Sequence, residues 1–85
     1  MKDDYIATFY SHYGAMCFKK TCDKQNITAD LMPVPRDLSS SCGTCVFFQC
    51  QESLLTSITE EKEDIEMIVK CEKCGYTYKY RAENS

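Results

Sequence analysis

Cys42 sits where a reactive thiol would be built. It closes the segment PVPRDLSSSCG, Pro33 to Gly43, in which two prolines, an arginine and three consecutive serines lead into the cysteine. A thiol reacts as its thiolate, and backbone N–H groups or a guanidinium nearby favour that form. Arg36 supplies the guanidinium, and Ser39, Ser40, Ser41 and Gly43 supply small residues whose successive N–H groups can cradle an anion. On this reading Cys42 is the nucleophile and the other five bind the charge on it. The plainer alternative is a tight serine-rich turn, with Cys42 incidental and Arg36 a solvated loop charge.

Other thiols lie close in sequence. Cys42 and Cys45 form CGTC, the pattern of a dithiol in which one thiolate attacks and the second resolves. A thioredoxin-like site places such a pair at a helix N-terminus, whereas the run after Cys45 is strand-like, which argues against that assignment. A second pair, Cys71 and Cys74, stands in CEKCGY, 25 residues beyond Cys45 (residues 46–70). Together the four could form a tetrathiolate zinc site, although about 15–20 residues usually separate the pairs. Cys17, Cys22 and Cys50 read as small core or half-buried residues. His12, the only histidine, precedes a helical pattern; imidazole suits proton transfer, while the bland reading is a surface or capping residue.

Composition bounds what these residues can serve. Eighty-five residues make one domain. Ten basic against 13 acidic residues give a net charge of −3, and the basic residues are scattered, which argues against nucleic-acid binding. The N-terminal MKDDYIATFY has no apolar run of about 7–15 residues, and no stretch approaches the roughly 18 needed to span a membrane. The expectation is a cytoplasmic protein. An odd count of seven cysteines and 44% hydrophobic residues, enough for an ordinary core, argue against a disulfide scaffold.

The elements that must position the thiols follow from periodicity. Tyr5 to Ser11 is apolar on both faces, as a central strand is. His12 to Gln25 carries Ala15, Phe18 and Cys22 at helical spacing, with Ser11 as cap. Ile27 to Val34 is a short strand halted by prolines, and Thr44 to Cys50 is a third strand with Cys45 and Cys50 on opposite faces. For residues 65–71 alternation competes with helical spacing. Thr59 as cap, four acidic residues after it, Lys70 and Lys73 near the end and Gly75 beyond predict a helix over Glu60–Cys74. Tyr76 to Tyr80 alternates as strand four. The order βαββαβ predicts an α+β, ferredoxin-like two-layer sandwich, an antiparallel sheet with two helices on one face. That topology would gather Ser11, His12, Cys42, Cys71 and Cys74 at one edge. Tyr76, Tyr78 and Tyr80 on an open sheet would suit a homodimer.

The segments FYSHYGAMCFKK and PVPRDLSSSCG together resemble the selenium/sulfur carrier protein-like family of short bacterial and archaeal proteins. Tyr10, Ser11, His12 and Ala15 fall on its YSHxxA junction. Pro33, Pro35, Arg36, Leu38, Ser39, Ser40, Ser41, Cys42 and Gly43 fall on its PVPRxLSSSCG loop. The resemblance implies a ferredoxin-like domain whose Cys42 carries sulfur or selenium as a persulfide or selenosulfide. The partners implied are a donor such as a cysteine desulfurase and an acceptor protein, and the role is transfer more than turnover. Cys45, Cys71 and Cys74 exceed the single-cysteine pattern, and Gln51 to Ile58 is long; a resolving thiol or a zinc-stabilised variant would use the extra cysteines. The expectation is thus a carrier acting through Cys42, Cys45 and His12 without a cofactor. The rivals are a zinc-stabilised interaction module and a small dithiol redox protein.

Overall fold

The computed structural model describes residues 2–38, 42–59 and 64–81. Among the described residues five strands and two helices follow one another as β1 (Asp3–Phe9), α1 (His12–Lys24), β2 (Thr28–Pro33), β3 (Thr44–Cys50), α2 (Leu55–Thr59), β4 (Ile65–Glu72) and β5 (Gly75–Arg81), with a 3₁₀ turn, Glu52–Leu54, leading into α2. The strands form one sheet in the order β2-β3-β1-β4-β5, each antiparallel to its neighbours. The fold is therefore α+β, with one strand more than the βαββαβ pattern predicts.

β1 is central, and its sequence shows why. Tyr5, Ala7 and Phe9 enter the core under the helices, while Ile6 enters a smaller cluster on the other face. After it the chain turns at Ser11, whose extended backbone and side-chain oxygen, accepting from the Gly14 N–H at 3.0 Å, cap α1. Ala15, Phe18 and Cys22 then face the sheet. Asn26 leaves the helix at φ 60°, a left-handed conformation that asparagine tolerates. The Ile27 N–H donates to the Cys22 carbonyl at 2.8 Å and turns the chain into β2.

The helix expected over Glu60–Cys74 does not form. Residues 65–72 are a strand instead, and the second helix is the short α2 that precedes them; residues 60–63 lie outside the described residues. β4 pairs with β1 along one edge and with β5 along the other, and both its faces are buried. Ile65 and Ile68 enter the helix-side core, and Met67 and Val69 the opposite cluster. A strand buried on both faces needs no one-sided apolar stripe, and β-branched Ile65, Ile68 and Val69 suit it. The end signals belong elsewhere: Thr59 closes α2, its hydroxyl donating to the Leu55 carbonyl at 2.7 Å. Gly75, at φ +142°, begins the returning strand of a hairpin. The tyrosine-rich segment thus becomes the fifth strand, at the sheet's edge. There Lys79 pairs with Glu52 at 2.8 Å and the Arg81 guanidinium lies 5.2 Å from the centre of the exposed Tyr78 ring.

The two sheet faces are closed differently. Residues of α1 together with Ile58 of α2 pack on one, around Phe18 and Phe48. On the other, Ile6, Cys45, Met67 and Val69 are joined by Leu38, with Val34 and Tyr76 packed against them. Val34 and Leu38 belong to the proline-rich segment after β2, so the cysteine loop itself covers part of the sheet.

Candidate functional site

PVPRDLSSSCG is the connection between β2 and β3. Pro33 pairs with Thr44, and the Val34 N–H donates to the Gly43 carbonyl at 3.1 Å, closing the loop at its neck. Within it the Leu38 N–H donates to the Pro35 carbonyl at 3.0 Å, a turn that points Leu38 into the second cluster. Gly43 has φ +75°, a conformation glycine adopts at no steric cost, which explains the glycine behind the cysteine. Cys42 is half-buried against the helix-side core, and its thiol donates to the Thr44 carbonyl at 3.3 Å.

His12, the first residue of α1, is exposed and comes to the same place. Its Nδ1 lies 3.2 Å from the Thr44 hydroxyl. One residue therefore holds both groups, Cys42 through its carbonyl and His12 through its hydroxyl. Ser11 joins them: its hydroxyl donates to the Asp64 carboxylate at 2.9 Å, and the Tyr10 N–H donates to the Asp64 carbonyl at 2.9 Å. The expected meeting of Ser11, His12 and Cys42 at one end of the sheet is what the structure contains. Thr44 and Asp64 were not foreseen. Thr44 was accessible as the strand residue opposite Pro33, whereas Asp64 was concealed by reading its surroundings as helix.

Cys71 and Cys74 do not join this end. β4 runs antiparallel to β1, so Ile65 pairs with Phe9 near the site and Lys70 with Tyr5 at the far end. Cys71 follows Lys70, and Cys74 sits in the turn of the β4–β5 hairpin, where Glu72 pairs with Gly75. Their expected place beside Cys42 came from the helix that does not form. Among the described residues no group of three or more His, Cys, Asp or Glu side chains could hold a metal ion. Arg36 is exposed on the loop; Ser39, Ser40 and Ser41 lie outside the described residues.

Cys45 is fully buried on the face away from the helices, and its thiol donates to the Pro33 carbonyl at 3.7 Å. Burial, with smaller contributions from Cys42 and Cys71, pushes its pKa up to about 11. Cys50 and Cys71 are also raised, burial being the main cause in each, followed by Asp3 and Asp4 respectively. A thiol whose folded pKa exceeds its unfolded one contributes stability below the unfolded value and loses it as pH climbs through the folded value. Stability is therefore expected to fall between about pH 9 and pH 11, the Cys45 contribution being roughly 2 kcal/mol. Urea melts at pH 8 and pH 10.5 check this: Cys45→Ala should flatten the difference, and an unchanged slope would contradict it. Cys22 and Cys50 are core residues and Cys17 is half-buried, as expected.

The fold and site together define a small α+β domain in which a half-buried cysteine on a hairpin loop and a histidine at a helix start are both hydrogen-bonded to Thr44. The chain matches the family described as "Putative Se/S carrier protein-like" over residues 4–81, and it belongs to that family. No curated protein and no solved structure matches it. Among the described residues no helix is long and apolar enough to cross a membrane.

Proposed function

We propose that this protein carries sulfur or selenium on Cys42 between partner proteins. The observation that carries the reading is the convergence of Cys42 and His12 on Thr44, within the loop and the strand-to-helix junction typical of its family. In the loading step the Cys42 thiolate attacks the outer sulfur of a donor persulfide, such as that of a cysteine desulfurase. The new S–S bond forms on Cys42 as the donor's S–S bond breaks, and the donor leaves as a thiolate. Sulfur moves without net oxidation or reduction. Arg36, exposed on the same loop, supplies positive charge for the terminal sulfur anion, and His12 exchanges protons with the reacting sulfurs.

Unloading belongs to the acceptor. Cys45 is buried with its pKa pushed up to about 11, so its thiolate is scarce near neutral pH, and an incoming acceptor thiolate takes the outer sulfur instead. Seven free thiols suit a reducing compartment, the cytosol. We further read β1 to β4 with the two helices as a ferredoxin-like unit to which β5 is added, since those four strands stand in the order β2-β3-β1-β4.

Incubation with a cysteine desulfurase and L-cysteine, then intact mass spectrometry and peptide mapping, tests the proposal. One added sulfur on Cys42, removed by dithiothreitol and absent from Cys42→Ser, is the expected result. No adduct, or one that survives Cys42→Ser, would overturn it.

A further inference from the structure

The geometry points to Thr44 as the positioning residue that fixes His12 as a base for Cys42, an inference resting on the carrier reading for its chemistry but not for its test. The Nδ1 to Oγ1 contact of 3.2 Å admits two assignments: the hydroxyl donates to a bare Nδ1, or Nδ1–H donates to the hydroxyl oxygen. The assignment is the second, in which the ring can gain a proton without the hydroxyl having to reverse its role from donor to acceptor. With Nδ1–H held on Oγ1, Nε2 is the bare nitrogen; protonation there leaves the Thr44 bond in place, and the ring need not turn. A tautomer is set by the hydrogen bond its other nitrogen makes.

Thr44 also reaches the thiol. Its carbonyl accepts from Cys42 at 3.3 Å, so the strand residue that orients the imidazole also holds the sulfur. In that bond the thiol keeps its proton, and it accepts no sulfur until a base removes it. His12 Nε2 takes that proton through a bridging water, the ring's own direct contact being with Thr44. The Cys42 thiolate then attacks the outer sulfur of the donor persulfide, and the imidazolium returns the proton to the departing donor thiolate. The sum is one thiol and one persulfide giving one persulfide and one thiol, with no proton or electron left over.

Thr44→Val and Thr44→Ser separate this role from mere structure. Valine keeps the shape and the backbone carbonyl and removes the hydroxyl; serine keeps the hydroxyl. In the wild type and in Thr44→Ser, ¹⁵N chemical shifts of His12 should report the Nδ1–H form. Thr44→Val should show a mixture of tautomers. Iodoacetamide should modify Cys42 about tenfold more slowly in Thr44→Val and within about twofold of the wild type in Thr44→Ser, with circular dichroism confirming that both fold. An Nε2–H ring in the wild type, or equal tautomer populations and equal Cys42 rates in the two variants, would overturn the assignment. Both readouts need no sulfur donor, so they decide the role of Thr44 even if the protein fails to load sulfur.

Discussion

Phe18→Ala is expected to cost about 3–5 kcal/mol, the usual loss when a buried aromatic ring is removed. Phe18 joins the helix to the sheet: its ring lies 5.3 Å from that of Phe9 on β1 and 5.2 Å from that of Phe48 on β3, and Phe48 in turn stacks on Tyr5 at 5.5 Å. All four are fully buried. A domain of 85 residues is held folded by roughly 4–13 kcal/mol, so the variant forfeits a large share of its stability. Thermal melting should show the midpoint falling by roughly 15–30 °C. A fall of less than about 5 °C would mean that the ring does not bind α1 to the sheet. Phe18→Leu, which leaves a smaller cavity, should fall between the variant and the wild type.

Gly14→Ala is the second large effect, and its sign is informative. In an exposed helix interior this change stabilises by about 1 kcal/mol. Here a methyl group at position 14 would stand 2.6 Å from the Asp64 Cβ and 2.7 Å from its Oδ2. The Cβ is fixed to the backbone and cannot swing aside, so the start of β4 must move. That movement strains the bonds Asp64 receives from the Ser11 hydroxyl and the Tyr10 N–H, and Ser11 is the cap beside His12. Crowding of this kind costs about 1–3 kcal/mol. Denaturant melts should show lower stability than the wild type, and slower alkylation of Cys42 should accompany it. Adding Asp64→Gly removes the Cβ that clashes, so Gly14→Ala should cost far less in that background. Equal costs in the two backgrounds would show that Asp64 is not the obstacle.

The parts of the fold legible in the sequence were those whose pattern had a single interpretation. α1 carries apolar residues at helical spacing only, β1 and β3 are short runs rich in β-branched and aromatic residues, and the prolines at 33 and 35 mark the end of β2. Residues 65–72 fit two periods. There the end signals favoured a helix, but the outcome depended on β1 and β5 pairing with the two edges of β4, and the partnership with β1 is a long-range fact that no local window contains. The site was legible to the same degree. Cys42 and His12 follow from β1, α1 and β3, so their meeting was foreseeable. Cys71 and Cys74 inherited the misread segment, so they were placed at the wrong end. The burial of Cys45 was half legible: alternation gave its face, but not the cover that Leu38 provides from within the loop.

The two outer strands carry a consequence for solubility. An unpaired strand edge invites another chain to add to it, which is how sheet proteins begin to aggregate. β2 ends at Pro33, which has no N–H to offer a newcomer, and Asp30 sits within it. β5 answers with Lys79 and Arg81, the latter lying over the otherwise inviting ring of Tyr78, and a register shift in β4 opposite it breaks the regularity of the pair. Tyr78→Ile with Arg81→Ala would turn that edge into a template for growth. As built, Pro33 on one outer strand and Lys79 and Arg81 on the other make both edges of the described sheet poor templates for a further strand.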